Sequence, residues 1–279
     1  MSARRAAPKA GPERASPNCR GSSNAATTAA ASTPAATPPA GITVQGSAQS
    51  VAAVDGKVRV ILSAPSWTSD GSIASGSYFM GAAIAASGLK EEKPGAYSEI
   101  SNGTTVATLS SSATIADVAG NGQFAIGRWT NGSDTLGGTY NAKQGRTYAV
   151  GSPLQVAMAA GATFSCSLVA STTPTSANGN TDIGTLEAAT AKITQDASGS
   201  PNGQTMDVSL TYSIGADAHV TFGTTGVFTN AGAFSRLSKS TIVSYLVGAD
   251  PAKPYLMLTY GIQAPTTGTV NGVAVLSCS

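Results

Sequence analysis

Between Gln204 and Ile214 the chain reads QTMDVSLTYSI, with Met206, Val208, Leu210, Tyr212 and Ile214 apolar and Asp207, Ser209, Thr211 and Ser213 polar. A helix would scatter these residues around its circumference, whereas a strand collects the apolar set on one face. The pattern predicts a long, half-buried antiparallel strand with one packed and one wet side. Downstream of Gly161 the same reading gives strands at 163–170, 184–194, 204–214, 218–222, 227–228, 241–247, 255–262 and 270–278. Turn-forming clusters at Pro174–Asn180, Ser198–Gly203 and Ala264–Gly268 separate them. Antiparallel strands at this spacing predict a sandwich or an up-and-down barrel.

Upstream, Lys57–Leu62 alternates in the same way, and strands are expected at 76–84, 104–109, 123–129 and 146–150. Asn121-Gly122, Asn131-Gly132 and Gly137-Gly138 mark turns between them. Helical periodicity is weak throughout. The fold class expected is therefore all-β: a small N-terminal β domain at 41–152, a junction around Gly151–Gly161, and an eight-stranded antiparallel up-and-down β-barrel at 161–279. Residues 1–40 are low in complexity, basic and proline-containing at first and then NAATTAAASTPAATPPA. Such a segment buries too little apolar surface to offset its ordering entropy and reads as a disordered tether.

Cys166 falls in the first strand of the C-terminal half, on the face of Phe164 and Leu168, and Cys278 falls in the last. The first and last strands of a closed meander are neighbours, so Cys166 and Cys278 are placed to form a disulfide, which calls for an oxidising compartment. Two reduced core thiols are the alternative.

Charged residues make up only 11% of the chain, against roughly a quarter in ordinary soluble domains, with Gly, Ser, Thr and Ala in their place. A surface solvated by hydroxyls and backbone suits an extracytoplasmic β protein, at the cell surface or in the periplasm. The net charge of +2 is small, and Arg4, Arg5, Lys9, Arg14 and Arg20 crowd the first twenty residues. No nucleic-acid partner is indicated. No apolar run is long enough for a transmembrane helix, and no leader is visible after Arg4-Arg5. Cys19, followed by small polar residues, resembles a lipidated cysteine, although Ser16-Pro17-Asn18 is no lipobox; peripheral membrane attachment stays open.

Catalytic chemistry has little to work with. His219 is the one histidine and lies in a predicted strand, no Cys/His metal cluster exists, and there is no P-loop, nucleotide-binding glycine motif or nucleophile elbow. Glu91 and Glu92, between Lys90 and Lys93, read as a solvated loop tip. Asn102-Gly103-Thr104 and Asn131-Gly132-Ser133 match glycosylation sequons and read first as turns. Neither an enzyme activity nor a cofactor or metal is expected. The binding candidates are Arg128 and Trp129, large side chains of hot-spot type at the end of a strand. Either one reaches solvent as a docking contact, or Trp129 packs at the domain junction while Arg128 bonds backbone there. Trp67 reads as a loop anchor.

GQFAIGRWTNG, RTYAVGSPL and ATFSCSLVASTTPTSANG, followed by alternating strands, together resemble the barrel of transferrin-binding-protein-B-like bacterial surface lipoproteins, also found at the C-terminus of some FecR-type proteins. The likeness covers roughly 122–279. It implies a displayed eight-stranded barrel beside a second β domain, and a role in capturing a protein or haem-type ligand rather than in catalysis. The chain lacks the lipobox, the FecR regulatory segment and the glycine-phenylalanine-rich ending of that group, so no ligand residue is carried over. The function expected is an exported surface or periplasmic binding protein, lipoprotein-like, that recognises its ligand through loops. The alternative is a structural subunit of an appendage or virion that assembles through β-edges.

Overall fold

The computed structural model describes residues 41–64, 78–199, 203–229, 235–237 and 240–279, all within one compact unit, Pro38–Ser279. The expected tether with Cys19, and Trp67, lie outside the described residues. Strands are the dominant regular element among the described residues, as the alternation predicts. In order the strands are β1 (Thr43–Ser47), β2 (Lys57–Ser63), β3 (Tyr78–Ala85), β4 (Leu89–Lys93), β5 (Ala96–Ser101), β6 (Val106–Thr108), β7 (Thr114–Gly120), β8 (Phe124–Thr130), β9 (Gly132–Ser133), β10 (Thr139–Tyr140) and β11 (Arg146–Gly151). There follow β12 (Thr163–Ser171), β13 (Thr175–Ser176), β14 (Thr185–Gln195), β15 (Gln204–Ile214), β16 (Asp217–Phe228), β17 (Ser235–Leu237), β18 (Ser240–Val247), β19 (Tyr255–Ala264) and β20 (Gly268–Cys278).

The C-terminal strands form a curled, barrel-like antiparallel sheet in the order β16-β15-β14-β12-β20-β19-β18-β17, with β13 continuing the pairing of β12 along β20. This is an up-and-down meander whose first and last long strands, β12 and β20, are paired. Its concave face holds the largest core, including Ile193, Leu210, Tyr212, Leu256, Tyr260 and Leu276. β15 occupies the predicted residues, and Met206, Val208, Leu210, Tyr212 and Ile214 are all buried while Asp207 is exposed. Strand β16 joins two stretches that read separately in the sequence. The Gly223–Gly226 stretch between them stays in the strand because β15 supplies ladder partners for Gly223 and Thr224.

The N-terminal sheet, in the order β1-β7-β8-β11-β2-β3, is antiparallel except where β1 joins β7. One of its faces packs on the curled sheet: Ile61, Phe124, Ile126 and Ala149 meet Val243, Tyr245, Met257, Val273 and Val275. The other face carries a second core, Val58, Val60, Leu62, Ile115, Trp129 and Tyr148, covered by Tyr97 and Ile100 of β5. β5 belongs to the small sheet β4-β5-β6. Gly127 and Gly272 each lie under a tyrosine from the facing strand. A Cβ there would come within 2.3 Å of Tyr148 Oη or Tyr260 Oη respectively, so both positions exclude a side chain.

Two expectations need correcting. Lys90–Lys93 is no loop tip: Glu91 and Glu92 lie in β4, where Glu91 Oε1 accepts the Gly95 N–H at 2.5 Å and Glu92 Oε1 accepts the Ser98 hydroxyl at 2.6 Å. Ser98, and then Lys90, hold the Glu92 carboxyl below its ordinary range. β7 and β5 were not anticipated, because TIADVAG and AYSEIS carry little alternation; both are packed on two sides. The two sequon asparagines are turn residues as expected. Asn102 Oδ1 accepts the N–H of Thr104 and Thr105, and Asn131 sits at φ +51°.

Candidate functional site

Cys166 and Cys278 are bonded, as their positions on β12 and β20 predict. Ser165 and Ser279 exchange both backbone hydrogen bonds, at 2.9 and 3.0 Å. That makes Cys166–Cys278, the next pair along, a non-hydrogen-bonded pair, the kind in which facing side chains approach most closely. The pair lies in the concave core and joins residues 112 apart. A disulfide indicates an oxidising, extracytoplasmic setting.

Arg128 and Trp129 are both buried, at 3% and 0% exposure. The Trp129 indole N–H donates to Tyr97 O at 2.7 Å, which ties β8 to β5 inside the N-terminal core. Arg128 points the other way, toward the curled sheet. Its Nε donates to Asp117 Oδ2 at 2.8 Å and its Nη1 to Gln144 O at 3.2 Å. Asp117 is the extra residue of a β-bulge, at φ +59°, and also accepts the Thr173 hydroxyl at 2.7 Å. The bulge turns its carboxylate out of the β7 pattern so that one acid links both sheets. Neither member of the pair reaches solvent, so the docking alternative has no surface to act through. Of the two sequence readings, Arg128 bonding backbone near the junction matches its position, while Trp129 belongs to the N-terminal core.

A second ionic group is more deeply buried. Arg146 Nε donates to Asp134 Oδ2 at 2.7 Å and to Tyr140 Oη at 3.0 Å, and the Tyr140 hydroxyl donates to Asp134 Oδ2 at 2.5 Å. Asp134 Oδ1 accepts the N–H groups of Leu136 and Gly138. Burial pushes the Tyr140 hydroxyl well above its usual range, although the Arg146 charge opposes the shift. Every polar atom of Asp134 faces the chain, which makes this group a strut for the 131–145 segment rather than a reaction centre.

The exposed chemistry lies on the convex side of the curled sheet. The alternation that buries the even positions of β15 sends Asp207, Ser209, Thr211 and Ser213 outward. Cross-strand register then builds rows: Ser165–Lys192–Asp207, then Ser167–Thr190–Ser209–Gly223, then Thr211–Thr221, whose hydroxyls are 3.0 Å apart. An open groove of about 790 Å³ crosses the first two rows, lined by Ser165, Thr190, Lys192, Asp207, Ser209 and Thr225 among others. Asp207 Oδ1 accepts the Gly226 N–H at 3.0 Å. The outward face of β15 was legible in the sequence; the groove was not, because it depends on which strands flank β15.

Beyond the Thr pair two bulges converge on Ser213. Glu187 is the extra residue between Leu186 and Ala188, and His219 lies in the bulge between Val220 and Asp217, at φ +52°. The Ser213 hydroxyl donates to Glu187 Oε1 and accepts the His219 backbone N–H at 2.8 Å, while Glu187 Oε2 lies 2.8 Å from His219 Nδ1. These bonds, with Ser213 first, hold the Glu187 carboxyl below its ordinary range. The cluster is no catalytic triad, since the serine bonds the carboxylate and a backbone amide rather than the imidazole. Among the described residues no cluster of His, Cys, Asp and Glu could hold a metal ion, and no helix is long and apolar enough to cross a membrane.

These features define an all-β protein with a disulfide-clipped, barrel-like curled sheet packed on a second sheet. No family model, curated protein or solved structure matches the chain.

Proposed function

We propose that the chain is an exported binding protein, displayed at the cell surface or in the periplasm, that captures its partner on the convex face of the curled sheet. The observation that carries this reading is the groove of about 790 Å³ across β12, β14, β15 and β16. Its lining mixes the hydroxyls of Ser165, Thr190, Ser209 and Thr225 and one cross-strand Lys192–Asp207 pair with apolar surface, to which Ala191 and Val208 contribute. Such a lining suits a partner that is itself part polar and part apolar, as a protein surface is. A haem-type ligand would be served poorly: the groove has no aromatic platform, its one cysteine is locked in the disulfide, and His219 lies rows away against Glu187. This reading puts the contact on a strand face, where the sequence reading put it on loops. The resemblance to transferrin-binding-protein-B-like lipoproteins agrees with display and protein capture.

The test is photo-cross-linking in the native host from a probe at Ser209, with a second probe at exposed Val106 as control. A protein that cross-links from Ser209 but not from Val106, and is lost on Lys192→Glu, is the expected result. Cross-links confined to loops, or a cross-link indifferent to Lys192→Glu, would overturn the assignment of the groove.

A further inference from the structure

We propose that Asn102 is a site of spontaneous covalent modification, where the side chain is converted through a cyclic imide to aspartate and isoaspartate. Asn102 and Gly103 lie in the turn between β5 and β6. Asn-Gly is the dipeptide in which this reaction meets least resistance, because glycine has no Cβ to obstruct attack by its own backbone nitrogen. Among the described residues the same dipeptide also begins at Asn121, Asn131, Asn178 and Asn271. Sequence therefore does not single out Asn102; its surroundings do.

Asn102 Oδ1 accepts the Thr105 N–H at 2.8 Å and the Thr104 N–H at 3.0 Å. Both donors point at the oxygen on which negative charge develops when Cγ is attacked, the arrangement that stabilises an oxyanion. The nucleophile is Gly103 N, and its N–H donates to the Ser101 hydroxyl oxygen at 3.2 Å. That oxygen is the first acceptor for the proton the nitrogen must lose, and it passes the proton to solvent. The leaving group is untethered, since Asn102 Nδ2 has no hydrogen-bond partner among the described residues. Asn102, Gly103 and Thr104 are all exposed, and a Cβ at Gly103 would have nothing within 4 Å. The ring has room to close, and water can reach it.

The deprotonated Gly103 nitrogen bonds to Asn102 Cγ while the carbonyl electron pair moves onto Oδ1. The pair returns, the Cγ–Nδ2 bond breaks, and Nδ2 takes up a proton and leaves as ammonia. Water then adds to either carbonyl of the imide. Opening on one side restores the main chain with an aspartate; opening on the other routes the main chain through Cγ as isoaspartate. The sum is asparagine plus water going to acid plus ammonia, with no oxidant or cofactor. Either product adds a negative charge to an exposed hairpin turn.

Each of the other asparagines lacks a part. Asn121 Nδ2 donates to Tyr255 Oη at 3.1 Å, which ties the leaving group to the curled sheet. Gly132, in β9, packs against Ala113 and Ser110, which holds the peptide unit after Asn131. After Asn178, the Gly179 N–H is committed to Ser176 O at 3.1 Å. Asn271 is buried in β20, between β13 and β19.

The test is peptide mapping by mass spectrometry of the full chain, incubated in mildly alkaline buffer made with heavy-oxygen water, so that only conversions during the incubation carry the label. A parallel sample is unfolded in urea. In the native chain Asn102 should convert to both products several-fold ahead of Asn121, Asn131, Asn178 and Asn271, and in urea their rates should converge. Ser101→Ala should slow Asn102 several-fold in the native chain and leave its rate in urea unchanged, which separates a proton-accepting hydroxyl from exposure alone. Gly103→Ala should suppress conversion in both samples. A native Asn102 that stays intact while the unfolded chain converts would overturn the proposal, as would conversion of any of the other four ahead of it. The readout is a mass change in the isolated chain, so it stands or falls separately from partner capture in the groove.

Discussion

The two arms of the curled sheet use the same strand geometry under opposite conditions. In the arm β14-β15-β16 one face is packed and the other wet, and burial alternates along each strand, most regularly in β15. In the arm β18-β19-β20 both faces are covered, the concave one by the barrel core and the convex one by the N-terminal sheet. Every described residue of Ser240–Val247 is buried there. A side chain's position in the pleat therefore determines its surroundings in the first arm, and in the second it determines only which core the side chain enters. A sheet that begins as a half-solvated face ends as an internal wall.

The disulfide sits where the arms meet, with Cys166 on β12 and Cys278 on β20. Its removal should produce the largest loss of stability. The closed loop of about 112 residues corresponds to up to ~5 kcal/mol in the chain-entropy model, and native disulfides in exported domains typically contribute 2–5 kcal/mol. Cys166→Ala with Cys278→Ala should lower the unfolding free energy by that amount relative to the oxidised protein, with a matching fall in the denaturant midpoint. An unchanged midpoint would mean that the β12–β20 ladder alone joins the two arms.

A mirrored pair of substitutions sharpens the comparison. Val273 on β20 is fully buried between the sheets, whereas the hydroxyl of Thr211 on β15 is outward beside Thr221. Val273→Thr places a hydroxyl in the inter-sheet core and should cost about 1–3 kcal/mol. The reverse swap, Thr211→Val, gives up one exposed hydrogen bond and should change stability by no more than about 0.5–1 kcal/mol. Equal costs in thermal or chemical unfolding would contradict the distinction between the arms.

What could be read from the sequence follows the same division. The wet arm announces itself, and QTMDVSLTYSI maps onto β15 residue for residue because a half-buried strand writes its environment as alternation. In the covered arm a stretch such as STIVSYLV locates a strand without saying what covers each face. Arg128 and Trp129 stood out by residue type, but their partners Asp117, Gln144 and Tyr97 are distant in sequence and contribute a bulge, a loop carbonyl and a strand carbonyl. The groove is a property of four strands in register and leaves no local pattern. His219 looked like an ordinary strand residue because a bulge that aims one side chain at Glu187 depends on a count against the neighbouring strand.

At the opposite end of β20 from the disulfide, Asp217 joins the arms a second time. It lies just after the β15–β16 turn, and its carboxylate accepts the Thr266 hydroxyl at 2.8 Å and the backbone N–H groups of Thr266 and Thr267 from the β19–β20 turn. The Thr267 hydroxyl returns a bond to Ile214 O at 3.1 Å. Burial alone would raise the Asp217 pKa, but the combined hydrogen bonds from Thr267 and Thr266 hold it below its ordinary value of 3.8. A carboxyl depressed in the folded state contributes stability that is present above its unfolded pKa and lost as pH falls through the folded one. Stability should therefore drop below about pH 4, and Asp217→Asn should remove that part of the acid sensitivity. At neutral pH the same substitution should cost on the order of 1–2 kcal/mol, since a neutral amide oxygen replaces a charged acceptor of several bonds. The loosening should also be local. Amide exchange should rise in the β15–β16 and β19–β20 turns while the amides around Cys166 and Cys278 stay protected. Uniform exchange along β20 would show that the arms are held as one unit and that neither clip acts on its own end.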